Sequence, residues 1–329
     1  MPGAVLEVSD LTVVYRTETA DITAVEGVDL SVGEGEFLGL VGESGCGKST
    51  LLFAVAQLLS PPAELVAGKV VFNGQDMVRL NRGELRHIRW RDYSVVMQSA
   101  MNALNPTKSI GAQFKDVIQA HSRMSAEAVH QRSAAVLDLV GIDAAHLKSY
   151  PHQLSGGMRQ RAMIAMALIF TPQLVIMDEP TSALDVVAQR SLMNQVRELQ
   201  KQLGFAVIFV THDMSVVSLY SDRVMVMYAG RIVEEAVTRS IFARPLHPYT
   251  KGLISAFPSA RGPRRALTGI AGNPPNLADP PAGCRFHPRC PEAFPACRER
   301  EPELLPVDNA SVRCLLFEPR QADKQEPGR

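Results

Sequence analysis

No apolar run in this chain approaches the ~20 residues a helix needs to cross a bilayer; stretches such as 162–170 are far too short. The N-terminus has no basic segment followed by an apolar one, so no secretory signal is visible. A cytosolic chain is expected, with any membrane role reached through partners. Neither sign of charge is in excess, since Lys plus Arg and Asp plus Glu number 34 each. That balance argues against nucleic acid as a main ligand. No Cys-x-x-Cys occurs, so simple zinc-finger spacing is not met. Proline is scarce until residue 244, after which fifteen of the 22 prolines are found.

At 329 residues and 46% hydrophobic content, the chain can bury a large core. One large domain with an appendage is the natural division. The boundaries expected are 1–243 for the domain, with a helical part at about 99–153, and 244–329 for the appendage. Four of the five cysteines also lie in that last stretch. Its prolines argue against long helices or central strands there, so it reads as loop-rich and held by something other than a core.

Short β-type runs fill residues 5–40: Val5 to Val8, Leu11 to Tyr15, Val28 to Val32 and Glu36 to Leu40. Residues 174–177 and 206–210 are uniformly apolar, as in strands covered on both faces. A helix over about 186–203, stopped by Gly204, connects them. This strand–helix–strand order predicts an α/β fold with a parallel sheet.

Between the run ending at Val41 and a helical pattern (Leu51, Leu52, Val55, Leu58 and Leu59) stands Gly42-Glu43-Ser44-Gly45-Cys46-Gly47-Lys48-Ser49-Thr50. This fits the phosphate-loop pattern in full. Its glycines let the backbone wrap phosphates, Lys48 reaches the β and γ oxygens, and the Ser49 hydroxyl is a Mg²⁺ ligand. Cys46 needs only to be small. Asp178 and Glu179 end a buried strand, where open α/β sheets bind ligands. Asp178 is the candidate to hold Mg²⁺, and Glu179 to activate a water. His212 follows the second apolar strand and could contact a γ-phosphate. Gln98, after Val95-Val96-Met97, could touch Mg²⁺ or water, although glutamine in loops is usually just solvated. Tyr15 could stack on a base or simply pack.

Leu154-Ser155-Gly156-Gly157-Met158-Arg159-Gln160 offers bare N–H groups and a hydroxyl at a helix start. It is a second anion site or an ordinary helix cap. Two phosphate-binding surfaces in one chain invite a two-subunit enzyme. Each occurs once, so the unit is not internally duplicated.

Together and in this order, these segments resemble the ATPase subunit of ABC transporters, over roughly residues 4–240. The resemblance implies a P-loop core with a RecA-like parallel sheet, an antiparallel β subdomain and a helical subdomain. It implies ATP and Mg²⁺ as ligands, the metal held through Ser49, Gln98 and Asp178. It further implies that Ser155, Gly156, Gly157 and Asp185 serve the ATP of a facing subunit. Gln98 then matches the Q-loop, His212 the switch histidine and Tyr15 the base-stacking aromatic. Met101 to Pro106 and Arg244 to Leu253 resemble oligopeptide and dipeptide importer ATPases; related systems carry oligosaccharides or nickel. Soluble members of repair or translation carry a coiled-coil insertion or two fused cassettes, and neither is visible.

The importer resemblance implies as partners a second ATPase (a heterodimer is favoured), two permeases and an extracytoplasmic binding protein. The site of action is then the cytoplasmic face of a prokaryotic inner membrane. Cys284, Cys290, Cys297 and Cys314 resemble the terminal segment of that subfamily, some members of which hold a [4Fe-4S] cluster. Zinc and four reduced structural thiols are the alternatives.

Overall fold

The computed structural model describes residues 3–18, 20–97, 103–182, 184–256 and 269–318. The chain opens with two long antiparallel strands, β1 (Ala4–Arg16) and β2 (Asp21–Gly33). β4 (Ala63–Phe72) and β5 (Gln75–Asp76) complete a four-stranded sheet in the order β2-β1-β4-β5. The four short runs expected over 5–40 thus merge into two long strands and β3 (Phe37–Val41). Asp10 (φ 49°) and Gly27 (φ 56°) mark irregularities within β1 and β2 rather than strand ends.

The main sheet adds β6 (Tyr93–Val96), β7 (Leu174–Asp178), β8 (Ala206–Thr211), β9 (Arg223–Tyr228) and β10 (Arg231–Val237). Two short strands from the C-terminal stretch, β11 (Leu305–Val307) and β12 (Ala310–Val312), join it. The order is β11-β12-β10-β9-β3-β8-β7-β6. From β9 through β6 all neighbours are parallel, and the pairs made by β10, β11 and β12 are antiparallel.

Every residue of β3, β7 and β8 is buried, which is why these strands read as unbroken apolar runs. Their side chains alternate between two cores. Leu38, Leu40, Ile176 and Ile208 meet α1 (Lys48–Val55) through Leu51, Leu52 and Val55. Phe37, Val175, Met177 and Phe209 face the other way. There they meet α6 (Val186–Leu203), which carries Met193 and Val196, and α7 (Met214–Tyr220), which carries Val217. α2 (Arg82–Ile88) is a surface helix closed by an Asn81/Glu84 capping box.

The helical part comprises α3 (Ile110–His121), α4 (Ala126–Leu139) and α5 (Gly156–Ala167), each N-capped by a serine: Ser109, Ser125 and Ser155. The apolar faces of α3 and α4, including Ile110, Phe114, Ile118, Val129 and Val136, join the second core. Among the described residues, no helix is long and apolar enough to cross a membrane.

α8 (Thr238–Ala243) and α9 (Pro248–Ser255) lead into the proline-rich stretch, which packs on the main core as well as on itself. Tyr228 of β9, Tyr249 of α9 and Phe286 form a buried aromatic triad with centroids 4.5, 5.2 and 5.4 Å apart. Glu234 of β10 is fully buried, yet its two oxygens accept the amides of Leu246 and His247, both at 2.8 Å. Burial raises the Glu234 carboxyl, and these hydrogen bonds oppose the rise.

His247 shows the reverse case. Burial, aided by Lys251, pushes its imidazole down to about 3. Nδ1 accepts the Tyr249 amide at 3.0 Å, and the ring also bonds to the Arg313 backbone. The unfolded chain takes up this proton near pH ~6.5 and the folded chain does not until about 3. Stability is therefore full above that upper value and falls as the pH drops between the two, by up to about 1.4 kcal/mol per unit. Urea unfolding at about pH 7 and pH 5 should show this loss in the wild type. His247→Asn should show a smaller loss, because it removes the titrating group.

Candidate active site

The phosphate loop leaves β3 at Val41 and enters α1 at Lys48. Two glycines explain its tightness. A Cβ at Gly47 (φ 106°) would lie 2.3 Å from the Ala24 carbonyl oxygen. One at Gly42 would lie 2.2 Å from that of Met227. Lys48 is buried, and its Nζ donates to the carbonyls of Gly42 and Glu43, both at 2.8 Å, with Cys46 Sγ at 3.7 Å. The lysine thus holds the loop closed on itself from inside.

β7 brings Asp178 to the same edge. Its carboxylate is buried; Ser49 hydrogen-bonds to it, while Oδ1 has no hydrogen-bond partner among the described residues. Burial raises this carboxyl; Ser49 opposes the rise, Glu179 adds to it and Lys48 opposes it. A buried carboxylate oxygen without a donor is costly. Beside a hydroxyl at the mouth of a phosphate loop, it fits one ligand position of a Mg²⁺ ion.

Glu179 follows with φ 44°, a left-handed backbone that a non-glycine residue rarely adopts. Its amide donates to the Val210 carbonyl at 2.9 Å, tying the turn to β8. The turn aims its carboxylate at His212, whose Nδ1 is 3.2 Å from Oε1. Tyr15 closes the far side, its hydroxyl 3.0 Å from Thr50 Oγ1. Ser44, Gly45, Gly47, Lys48, Ser49, Thr50, Glu179, His212 and Tyr15 line one cleft.

Other expected residues lie elsewhere. Ser155, Gly156, Gly157 and Asp185 do not line this cleft. The Ser155 hydroxyl accepts the Met158 amide at 3.2 Å, and Asp185 caps α6 through the Ala188 amide at 2.8 Å. Both are exposed, as are Val186 and Val187 at 79% and 80%. Gln98, Met101 and Asn102 lie outside the described residues.

The four C-terminal cysteines are neighbours. Cys284 N–H donates to the Cys297 carbonyl at 2.9 Å. Burial, and then the other cysteines, push the Cys290 thiol up to about 11 and the Cys314 thiol up to about 12. Yet among the described residues no three His, Cys, Asp or Glu side chains are grouped so as to hold a metal ion. Among the described residues the four cysteines are thus near one another but not assembled around one point, as the expected cluster or zinc site would be.

Sequence reading missed two contacts on the phosphate loop and one residue of the cleft. Arg289 forms two bonds to Glu43 (Nη1–Oε2 2.6 Å, Nη2–Oε1 2.9 Å). The Glu43 amide donates to the Tyr249 hydroxyl at 2.8 Å, and Leu277 lines the cleft. The only signal was that Arg289 and Tyr249 sit within the two C-terminal segments singled out above.

Residues 25–182 match the family described as ABC transporter, and residues 233–297 match the oligopeptide/dipeptide transporter C-terminal region. The dipeptide transport ATP-binding protein DppD of Caldanaerobacter subterraneus subsp. tengcongensis is 41% identical over 317 residues, covering 95% of this chain and 97% of that protein. The chain belongs to the ABC transporter family. The oligopeptide transport ATP-binding protein OppD of Escherichia coli is 43% identical over 91% of this chain and 89% of its own length. Among solved structures, the ATP-binding cassette MJ0796, bound to ADP and Pi in a dimeric post-hydrolysis state, superposes with a TM-score of 0.63. It is 29% identical and covers 71% of this chain and 99% of that one. This ABC family member therefore has the P-loop cassette fold expected from its motifs.

Asp178→Asn keeps the size of the side chain but removes the charge beside the unpartnered oxygen. Mg²⁺ should then strengthen ATP binding to the variant about tenfold less than to the wild type. Titration of a fluorescent ATP analogue with and without Mg²⁺ measures the difference.

Proposed function

We propose that this chain is the ATP-hydrolysing subunit of a membrane importer for dipeptides or oligopeptides, acting at the cytoplasmic face of a prokaryotic inner membrane. The observation that carries this reading is the meeting of Lys48, Asp178, Glu179 and His212 beyond the carboxyl ends of β3, β7 and β8. The two peptide-transport relatives support the cargo class.

Residues 42–50 (Gly42, Ser44, Gly45, Cys46, Gly47 and Thr50 among them) cradle the triphosphate. Lys48 exchanges its two carbonyl partners for β and γ oxygens. Ser49, Asp178 and Gln98 would hold Mg²⁺, which when bound would neutralise charge developing on the phosphates. The Glu179 carboxylate orients a water and accepts its proton as the oxygen attacks the γ-phosphorus and the bond to the β-phosphate oxygen breaks. His212 holds Glu179 at its 3.2 Å contact and faces the γ-phosphate. Tyr15, which lines the cleft with its hydroxyl at Thr50, stacks on the adenine.

Ser155, Gly156, Gly157 and Asp185 are free of the chain's own cleft, which suits contact with ATP bound to a facing subunit. That subunit is a second, similar ATPase. Two ATPs shared across such a dimer favour its closed state, and hydrolysis releases it. The helical part passes the motion to two permeases, which receive cargo from an extracytoplasmic binding protein.

Glu179→Gln tests the site. The variant should bind ATP within a few-fold of wild type, lose about 10³-fold in turnover and accumulate a closed dimer on size exclusion. Turnover at the wild-type rate would remove Glu179 from its role.

From the four-cysteine pattern of the sequence, rather than from their arrangement, we also propose that Cys284, Cys290, Cys297 and Cys314 ligate a [4Fe-4S] cluster. Burial and the neighbouring cysteines keep the Cys290 and Cys314 thiols protonated, so ligation by them would need a cationic centre. Protein purified without oxygen should contain about four irons per chain, and Cys290→Ser should bleach it. One zinc and no iron would assign the site to zinc. Absence of both metals would leave four structural thiols.

A further inference from the structure

We propose that Arg289 is a positioning residue for the phosphate loop: with Tyr249 it clamps Glu43, and so makes the C-terminal segment a working part of the nucleotide site. The inference rests on the ATP-binding reading above and extends it to residues outside the cassette motifs.

Glu43 is the second residue of the loop, and it is held at three points. Its carboxylate takes the Arg289 fork through two parallel charge-assisted bonds. Its amide donates to the Tyr249 hydroxyl at 2.8 Å. Its carbonyl accepts Lys48 Nζ at 2.8 Å. The third hold is temporary, because Lys48 must leave that carbonyl when it reaches for phosphate. What then holds residue 43 is the Cys46 amide within the loop, which donates to the same carbonyl at 3.3 Å, and from outside the loop Arg289 and Tyr249.

Arg289 is built for that task. Its side chain is 6% exposed. Nε donates to the Ala271 carbonyl at 2.9 Å, and the guanidinium lies over the Tyr228 ring, 5.8 Å from its centroid. A short helical turn, His287–Arg289, fixes its backbone, with the Arg289 amide donating to Phe286 at 3.0 Å. Phe286 and Tyr249 belong to the same aromatic triad, so both jaws of the clamp are anchored in one buried cluster. Leu277, from the same segment, lines the cleft itself.

Charge adds a second reason. An unpaired Glu43 carboxylate would stand in the loop that receives a triphosphate and repel it. The bidentate pair cancels that charge where solvent screens little. Arg289 therefore favours the bound anion both by shape and by sign, without facing the phosphates.

The test is MgATP binding and steady-state hydrolysis on the full-length chain, with folding checked by thermal unfolding. Arg289→Gln should weaken MgATP binding about tenfold and raise KM by a like factor, with kcat changing less than about threefold. Arg289→Lys, which keeps the charge but not the fork, should fall between. Glu43→Gln/Arg289→Gln should be no weaker than Arg289→Gln alone, the non-additivity expected of residues acting through one contact. Should Arg289→Gln fail to fold, Arg289→Lys and Glu43→Gln reach the clamp from either side. Affinities within twofold of wild type, or losses that simply add in the double variant, would overturn the clamp while leaving ATP binding intact. Failure of the wild type itself to bind ATP would instead overturn the functional reading.

Discussion

The parallel ladder of β3, β8 and β7 is the constraint on which the site depends. β8 pairs with both neighbours, so Val41 stands beside Thr211 and Asp178 beside Val210. The phosphate loop starts one residue after Val41, Glu179 one after Asp178, and His212 one after Thr211. Three chemically different groups thus emerge in line at one edge. A slip of one residue in any strand would turn its buried side chains to the opposite core. Because both faces are filled, that slip is strongly disfavoured, and the packing of Phe209, Ile176 and Leu40 indirectly sets the chemistry.

The edge gathers charges that burial alone would not tolerate. Lys48 is satisfied by two carbonyls, whereas Asp178 keeps one oxygen without a donor and a carboxyl raised by burial. The left-handed turn at Glu179 adds backbone strain, held by the bond from its amide to Val210. Both features cost stability in the folded chain, a common pattern at reactive sites.

The proline-rich segment, besides its own hydrogen bonds such as Cys284 to Cys297, is tied into the cassette at several points. β12 extends the main sheet at β10, and the Arg313 amide donates to the Val233 carbonyl at 2.8 Å. Glu234 captures the turn before α9, and Arg285 joins Glu26 of the other sheet. Phe286 and Tyr249 supply the apolar anchor. An appendage expected to be held by something other than a core turns out to be built into one.

Much of this was legible because some information is local. Glycines at loop spacing, apolar runs covered on both faces, and serines ahead of helices each carry their meaning within about ten residues. Thus the sequence by itself determined the phosphate loop, the strand-end carboxylates, the helix over 186–203 and the family. It could not reveal that Arg289 grips Glu43, 246 residues away, or that Glu179 takes a left-handed turn toward His212. Those facts depend on side chains meeting within about 3 Å. Only the packing of distant elements, not their spacing along the chain, decides which of them meet.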